Sequence, residues 1–300
     1  MRNFVSVILV AALALSALAG AQNSAVLYWN MPTSPAQLAH GAGTLIMGDE
    51  PQGMSVNPAG LAAMKWRSVS TCGVQWWGGV YGGSVGAVLP VGKKLGVAGV
   101  SLSYWTLGAI AAYDDRGNPL GNISAQAVCG RLDYGYELFS GFSAGAGIKF
   151  FNLILPDRRD FGYAFDLGAE YRWRFLAANM QLRDLGPKYP VNNANRDKLP
   201  AIASTGARAS LWKDRIVVGA QLNARTGERP YPTLGLDAAP IPLISARLGY
   251  SGEKNKDQMS RLGFGLGVHT TGKQDYDIEW GYRSFGNLGF VQSLTLGMNF

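Results

Sequence analysis

The sequence predicts an all-β fold: a transmembrane, antiparallel, up-and-down β-barrel of about 14 strands with a small N-terminal hatch segment. Three observations lead to this class. Apolar and polar residues alternate with period two from residue 66 onward. Only 16% of the 300 residues are charged, and the chain holds 40 glycines and 11% aromatic residues. Soluble domains average roughly 25% charged residues, and helical membrane proteins need apolar spans of about 20 residues.

The N-terminus predicts export. Met1–Asn3 is a short, positively charged start, Phe4–Leu15 is an apolar run, and small residues follow. This arrangement is typical of a secretory signal peptide, here residues 1–21, with cleavage near Ala19–Ala21. Together with a barrel, it indicates the bacterial outer membrane.

Residues 22–65 are rich in turns and too short to bury a core of their own. We expect them to form a periplasmic or luminal hatch, with a short helix within Pro35–Met47. Asn57 is suited to cap a second short helix and Pro58 to occupy its first position. For this motif, the capping role is favoured over direct ligand contact.

Residues 66–300 are expected to form the barrel. Each predicted strand is bounded by turn residues and is long enough to cross a bilayer at a tilt, which takes roughly 9–11 residues. The predicted strands are 66–77, 80–90, 95–105, 122–137, 141–152, 161–172, 174–184, 199–211, 214–224, 230–239, 243–251, 260–270, 273–284 and 289–300.

The two faces of these strands differ in polarity. In 161–172, Tyr163, Phe165 and Leu167 share one face, whereas Asp166 and Glu170 share the other. So many charges exclude a sandwich core. A lipocalin-like barrel with its apolar face inward and a membrane barrel with its apolar face outward both fit. The strand number, the flanking aromatic residues and the alternation of long and short connections favour the membrane barrel.

The polar face of the strands then lines the lumen. Its mixed charges argue against a strongly ion-selective open porin. Two roles remain open for these residues: transport, or pairing with each other and with the hatch. The lumen-facing candidates are Arg131, Asp133, Lys149, Asp166, Glu170, Arg172, Asn179, Gln181, Arg183, Arg208, Arg247, Asp277, Glu279 and Arg283.

The two cysteines are expected to remain free thiols. By alternation Cys72 points outward with Val74, and Cys129 points inward. Their strands are three spacings of about 4.8 Å apart, whereas a disulfide needs Cα atoms within about 7 Å.

The sequence shows no catalytic constellation, so we expect no enzyme activity, no cofactor and no metal. His40 and His269 are the only histidines, and His269 is interpreted as a polar lumen residue. Asp114–Asn118 predicts a surface turn rather than a calcium loop, since it lacks the distal Glu. The Trp105–Ala112 stretch is a candidate entry surface for hydrophobic molecules at the outer rim.

One block resembles a known family. The residues from Asp49 to Pro51 and from Asn57 to Ala62 resemble the PorV/PorQ family of outer-membrane proteins, and more distantly the FadL-like transporters of long-chain fatty acids. Glu50 departs from the pattern, which has a second Asp there. The resemblance implies a hatch that folds into a 14-stranded barrel. The hatch motif is Asp49, Glu50, Pro51, Asn57, Pro58, Ala59 and Gly60.

The resemblance also implies functions. The first is passive transport of small hydrophobic compounds through a hatch-gated barrel. The alternatives are a type IX secretion component that binds secreted cargo proteins, and a structural or general diffusion barrel.

The expected partners are outer-membrane lipid and the barrel-assembly machinery, which would recognise the final strand ending at Phe300. Nucleic acid is not expected, because the net charge of +7 is spread along the chain.

Overall fold

A computed structural model describes most of the chain as one closed, antiparallel barrel of 14 strands, which confirms the predicted fold class. The expected signal peptide, Asp49 and Glu50 lie outside the described residues. Within those residues, no helix is long and apolar enough to cross a bilayer. The described residues are 31–41, 51–92, 95–108, 110–156, 158–187, 189–190, 196–197, 199–253, 261–270, 272 and 274–300.

Each barrel strand pairs with the next along the chain, and the first pairs with the last. Ser68 faces Asn299 in that closing pair. The strands are β1 Ser68–Gln75, β2 Tyr81–Gly92, β3 Gly96–Thr106, β4 Gln126–Phe139, β5 Phe142–Ile154, β6 Arg159–Trp173, β7 Leu176–Leu185, β8 Ile202–Leu211, β9 Ile216–Arg225, β10 Tyr231–Ile241, β11 Ile244–Ser251, β12 Leu262–His269, β13 Asp275–Ser284 and β14 Phe290–Asn299.

Two short hairpins that the sequence analysis did not predict stand outside the barrel sheet. Ile110–Tyr113 pairs with Pro119–Ile123 between β3 and β4, and Tyr189–Pro190 pairs with Arg196–Asp197 between β7 and β8. Both lie at the end of the barrel that carries the longer connections, here called the loop end.

The opposite end, here called the tight-turn end, carries short connections between strands. Such short turns restrict which residue fits. At Gly141 the φ angle is +78°, and a Cβ there would overlap the carbonyl oxygen of Arg172. β14 finishes and β1 begins at this end, as expected for an even number of strands.

The polarity of the barrel is inverted relative to a soluble protein. Leu266 remains 55% exposed on the outside, whereas Lys149 and Asp166 are 1% exposed inside. The predicted outward and inward faces are therefore correct for most strands. In β1 the prediction is wrong: Cys72 and Val74 point inward. They pack in an apolar cluster that fills the lumen there, so polarity did not distinguish the faces. Both cysteines are free thiols, as predicted.

The described part of the N-terminal segment lies inside the barrel. Helix α1, Pro35–Ala39, is capped by the Ser34 side chain and packs on β11, β12, β13 and β14. The short helix predicted within Pro35–Met47 is found at Pro35–Ala39, and residues 42–50 are outside the described ranges. A 3-10 helix follows at Pro51–Ser55.

A second 3-10 helix, Pro58–Ala63, packs on β4, β5 and β6. Asn57 caps it as predicted: its Oδ1 accepts the N–H of Ala59 at 3.1 Å, and Pro58 takes the first position. We refer to residues 31–41 and 51–64 together as the hatch.

Strand glycines make room for the hatch. A Cβ on Gly281 would lie 2.7 Å from the Cα of Pro35, and one on Gly145 would overlap the carbonyl carbon of Pro58. Real Cβ atoms do not approach so closely, so backbone contact between hatch and wall requires glycine at these positions.

Candidate functional site in the barrel lumen

The lumen wall beside the hatch carries a buried network of charged side chains. Arg131 binds Asp133 through two nitrogens, at 2.9 and 3.1 Å, and Asp166 at 2.9 Å. Lys149 contacts Asp166 at 3.0 Å and Asp184 at 2.6 Å. These five residues, here called the ion-pair cluster, come from β4, β5, β6 and β7. Their pairing meets the requirement that buried charges have partners.

Asp184 is the one member of this cluster that is not among the residues predicted from the sequence. Alternation places Arg183 inward and its neighbour Asp184 outward, yet Asp184 is buried. The cause is a β-bulge: Phe165 pairs with Leu185 but Leu167 pairs with Leu182, so β7 carries one extra residue. Asp184 takes a left-handed φ of +61°, and its N–H donates to Asp166 at 2.8 Å.

The ion-pair cluster also holds the hatch. The guanidinium of Arg131 donates to the carbonyl oxygens of Met54 at 3.1 Å and Ser55 at 3.4 Å. These carbonyls belong to the 3-10 helix Pro51–Ser55. One cation thus joins two wall carboxylates to the hatch backbone, and charge-assisted hydrogen bonds of this kind are stronger than neutral ones.

A second set of polar contacts holds the other part of the hatch. His40, which ends α1, contacts Asp237 of β10 at 2.7 Å. Arg247 pairs with Glu279 at 2.8 Å and lies 3.7 Å from Asp237. Arg283 donates to the carbonyl oxygen of Leu38 at 3.5 Å. His40 and Asp237 are not among the residues predicted from the sequence, because neither spacing nor alternation connects them.

The remaining candidates also face the lumen. Glu170 pairs with Arg172 and lies 3.7 Å from Arg208. Asn179 and Gln181 are buried, and Arg183 lines a cavity of about 50 Å³ between hatch and wall. All fourteen lumen-facing candidates therefore lie inside the barrel, and most charged ones pair with each other or with the hatch, which was the structural alternative left open. Of the hatch motif, only residues from Pro51 onward are described.

The loop end of the lumen is apolar. Trp105 is 2% exposed and packs with Leu38, Val80 and Val291. Trp76 stands edge-on to Trp105 at 6.4 Å between ring centroids. We call this group the aromatic cluster; it also includes Phe285, 5.4 Å from Trp76. Trp105 is thus an interior residue and not the rim surface that the sequence analysis expected. Its ring fits over Gly82, where a Cβ would overlap it.

At the tight-turn end, a cavity of about 310 Å³ opens between the wall and the chain entering β1. Its lining includes Lys65, Trp66, Arg247, His269 and Asp277. The His269 ring makes two hydrogen bonds of 2.7 Å: Nε2 bonds with Ser245, and Nδ1 bonds with Asp277. From the sequence, His269 is interpreted only as a polar lumen residue, because Ser245 and Asp277 are separated from it along the chain.

No protein-family model matches the chain, and no curated protein matches its sequence. The PorV/PorQ resemblance is therefore without support from a family match. The chain is similar in structure to a Pseudomonas aeruginosa FadL homologue, with a TM-score of 0.58 and 11% identity, over 89% of this chain and 98% of that chain.

Two further solved structures are similar. The Ralstonia pickettii toluene transporter TbuX gives a TM-score of 0.58 at 11% identity over 89% of this chain and 97% of that one. The Pseudomonas putida toluene transporter TodX gives 0.56 at 11% identity over 94% of this chain and 98% of that one. Likeness at this level of identity shows the fold, a closed β-barrel similar to those of the FadL homologue and the two toluene transporters.

Proposed function

We propose that this protein is an outer-membrane channel for the passive transport of small hydrophobic compounds, gated by the hatch. One observation carries the proposal: apolar side chains cover the outside of a closed barrel, while the lumen holds paired charges and a chain segment bound to them. A surface of this kind is unsuited to water and suited to lipid.

The location in the outer membrane follows from this surface. Leu266, Ile278 and Leu296 on three neighbouring strands are each about half exposed. Exposed apolar patches of this extent are rare on soluble monomers. Residues 1–21 would direct export, and the last strand, with Leu294, Leu296 and Phe300 on its outer side, would be recognised by the assembly machinery.

The aromatic cluster supports the substrate class. It lies inside the barrel at the loop end, where a molecule arriving from outside the cell first meets the hatch. Trp76, Trp105 and Phe285 offer ring faces and edges, which suit a planar apolar ligand. TodX and TbuX are toluene transporters. We therefore infer that monoaromatic hydrocarbons are the compounds to test first.

The hatch argues against a general diffusion barrel. It packs on ten strands around the lumen, and both of its halves are held by charged side chains of the wall. Passage of a solute then requires the hatch to rearrange. A solute without affinity for the aromatic cluster has no means of promoting that change.

Uptake by cells tests the proposal. Cells that express the protein should accumulate radiolabelled toluene faster than cells with an empty vector, at concentrations too low for rapid leakage. Trp105→Ala should reduce the rate several-fold, whereas Trp212→Ala, at an exposed turn, should not change it. Liposomes with the purified protein should not swell in sugar solutions. Sugar-driven swelling, or toluene uptake equal to the vector control, would reject the proposal.

The type IX secretion role has no feature of the described residues in its favour, and two of the similar structures named above are toluene transporters. Isolation of the protein in complex with secreted cargo would support the type IX secretion role instead.

A further inference from the structure

Three side chains on neighbouring strands form a hydrogen-bonded relay inside the barrel. The Oγ of Ser245 lies 2.7 Å from Nε2 of His269, and Nδ1 of His269 lies 2.7 Å from Oδ1 of Asp277. This is the order of nucleophile, base and orienting carboxylate that activates serine in hydrolases, which is recognised by geometry rather than by sequence position.

The strand register builds this arrangement. Ser245 of β11 is paired with Gly267 of β12, and His269 is paired with Asp277 of β13. The imidazole reaches Ser245 by lying over Gly267, where a Cβ would fall 2.9 Å from Nε2 of His269 and overlap the Ser245 hydroxyl. A glycine at this position is thus required for the contact.

Asp277 is itself held in place. Its second oxygen, Oδ2, accepts a hydrogen bond from Nδ2 of Asn299 at 3.1 Å. An orienting carboxylate fixed by a neighbouring strand is what keeps a catalytic imidazole in one tautomer and one direction. The relay is therefore supported from β11 to β14.

A cavity of about 310 Å³ adjoins the relay, and His269 and Asp277 line it. About a fifth of the His269 side chain is exposed there. Arg247, which follows Ser245 by two residues on the same strand face, lines the same cavity, as does Lys65. The lining thus carries two cations beside the carboxylates of Asp277 and Glu279, and cations favour a group that develops negative charge on oxygen.

We propose that Ser245, His269 and Asp277 form a catalytic triad that hydrolyses small carboxylic esters in the lumen at the tight-turn end. This activity goes beyond the proposed transport and does not depend on it. The Oγ of Ser245 attacks the ester carbonyl carbon and its proton passes to Nε2 of His269. The bond from carbonyl carbon to alkoxy oxygen breaks, and the alcohol leaves with that proton.

Water then completes the cycle. His269 takes a proton from a water molecule, whose oxygen attacks the acyl carbon on Ser245. The acyl–oxygen bond breaks, the carboxylic acid leaves, and the proton returns to Oγ of Ser245. No oxidant, metal or other co-reactant is consumed.

Labelling of the full-length protein in detergent with a fluorophosphonate probe tests the triad. The probe should add covalently to Ser245, as located by peptide mass spectrometry. Ser245→Ala should abolish labelling. Asp277→Asn, which keeps the size of the side chain, should slow both labelling and hydrolysis of p-nitrophenyl butyrate by about 100-fold or more.

Ser251→Ala is the matched control, since Ser251 is a buried, inward-facing serine on the same strand that makes no contact with His269. It should label at the wild-type rate. The shift of the folded barrel on unheated gels verifies that each variant is folded. Folded wild-type protein that does not label, or labelling that persists at the same rate in Ser245→Ala, would overturn the proposal and leave the relay as a purely structural contact. Neither result changes the prediction for toluene uptake, so the two proposals can fail separately.

Discussion

Lys149 shows how the interior tolerates charge. Its ammonium lies between Asp166 and Asp184, with almost no access to solvent. Removing one partner from a buried ionic cluster leaves the other charges unpaired, which costs about 3–5 kcal/mol. Ion-pair cluster residues are therefore more sensitive to single substitution than their polar character suggests.

We expect Lys149→Met to lower the free energy of unfolding by about 3–5 kcal/mol, because two carboxylates lose their cation. Urea unfolding in lipid vesicles measures the change. The matched control is Lys213→Met in the exposed turn between β8 and β9, which should stay within about 0.5 kcal/mol. Equal effects at the two positions would show that the cluster contributes nothing specific.

Asp114 illustrates a charge outside the barrel. Its carboxylate accepts hydrogen bonds from the side chain and N–H of Asn118 and from the N–H of Arg116. These bonds, the Asn118 side chain first, hold the pKa of Asp114 below its ordinary value of 3.8. The segment is the surface turn that the sequence predicts, and the carboxylate is used to close it.

Because the pKa of Asp114 is lowered on folding, its stabilisation of this turn is present above pH 3.8 and is lost as the pH falls through the folded value. NMR titration of the Asp114 carboxyl carbon should therefore give a midpoint below 3.8. In Asn118→Ala the midpoint should return toward 3.8. A midpoint at or above the ordinary value in the unsubstituted protein would contradict the turn geometry.

Simple alternation selects polar positions such as Lys149 and Asp166, which are buried inside the barrel. It fails where the strand or the lumen departs from the simple pattern. Asp184 turns inward because of the bulge in β7. Cys72 and Trp105 turn inward because the loop end of the lumen is apolar, so polarity no longer distinguishes the two faces.

The strands and the hatch depend on each other at the scale of elements. Inward-facing glycines on β5 and β13 allow backbone contact with the hatch, and the ion pairs then hold it. Neither half of the hatch is long enough to be stable as an isolated helix. The sequence predicts the cap at Asn57 but neither the cap at Ser34 nor which strands the helices contact, because the contacts require the closed barrel.

Gly145→Ala tests this dependence. The added methyl meets the backbone of Pro58, which cannot rotate away, so we expect the free energy of unfolding to fall by about 1–3 kcal/mol. Protease cleavage within the hatch should become faster in the folded protein. Gly130→Ala on the neighbouring strand β4 is the control, since its methyl would enter open space. If both variants behave alike, the contact between Gly145 and the hatch does not determine where the hatch lies.

The whole molecule is defined by inverted polarity, with apolar side chains outside and charges within. Its fold class could be predicted because this inversion repeats on nearly every strand and survives small errors in strand boundaries. The two short hairpins could not, since each pairs only a few residues and carries no clear alternation.

The central claim is that the apolar outer face contacts lipid. Leu266 lies in the middle of β12 and is 55% exposed, whereas Leu120 lies in the hairpin outside the barrel sheet and is 68% exposed. In water, arginine at either position would be harmless. In a bilayer, only the residue at the middle of the barrel wall would place a charge in hydrocarbon.

Unfolding in lipid vesicles of Leu266→Arg, compared with Leu120→Arg, measures this difference directly. We predict that Leu266→Arg lowers the free energy of unfolding by about 2–4 kcal/mol and that Leu120→Arg changes it by less than about 0.5 kcal/mol. Two small and equal effects would contradict a lipid-facing barrel.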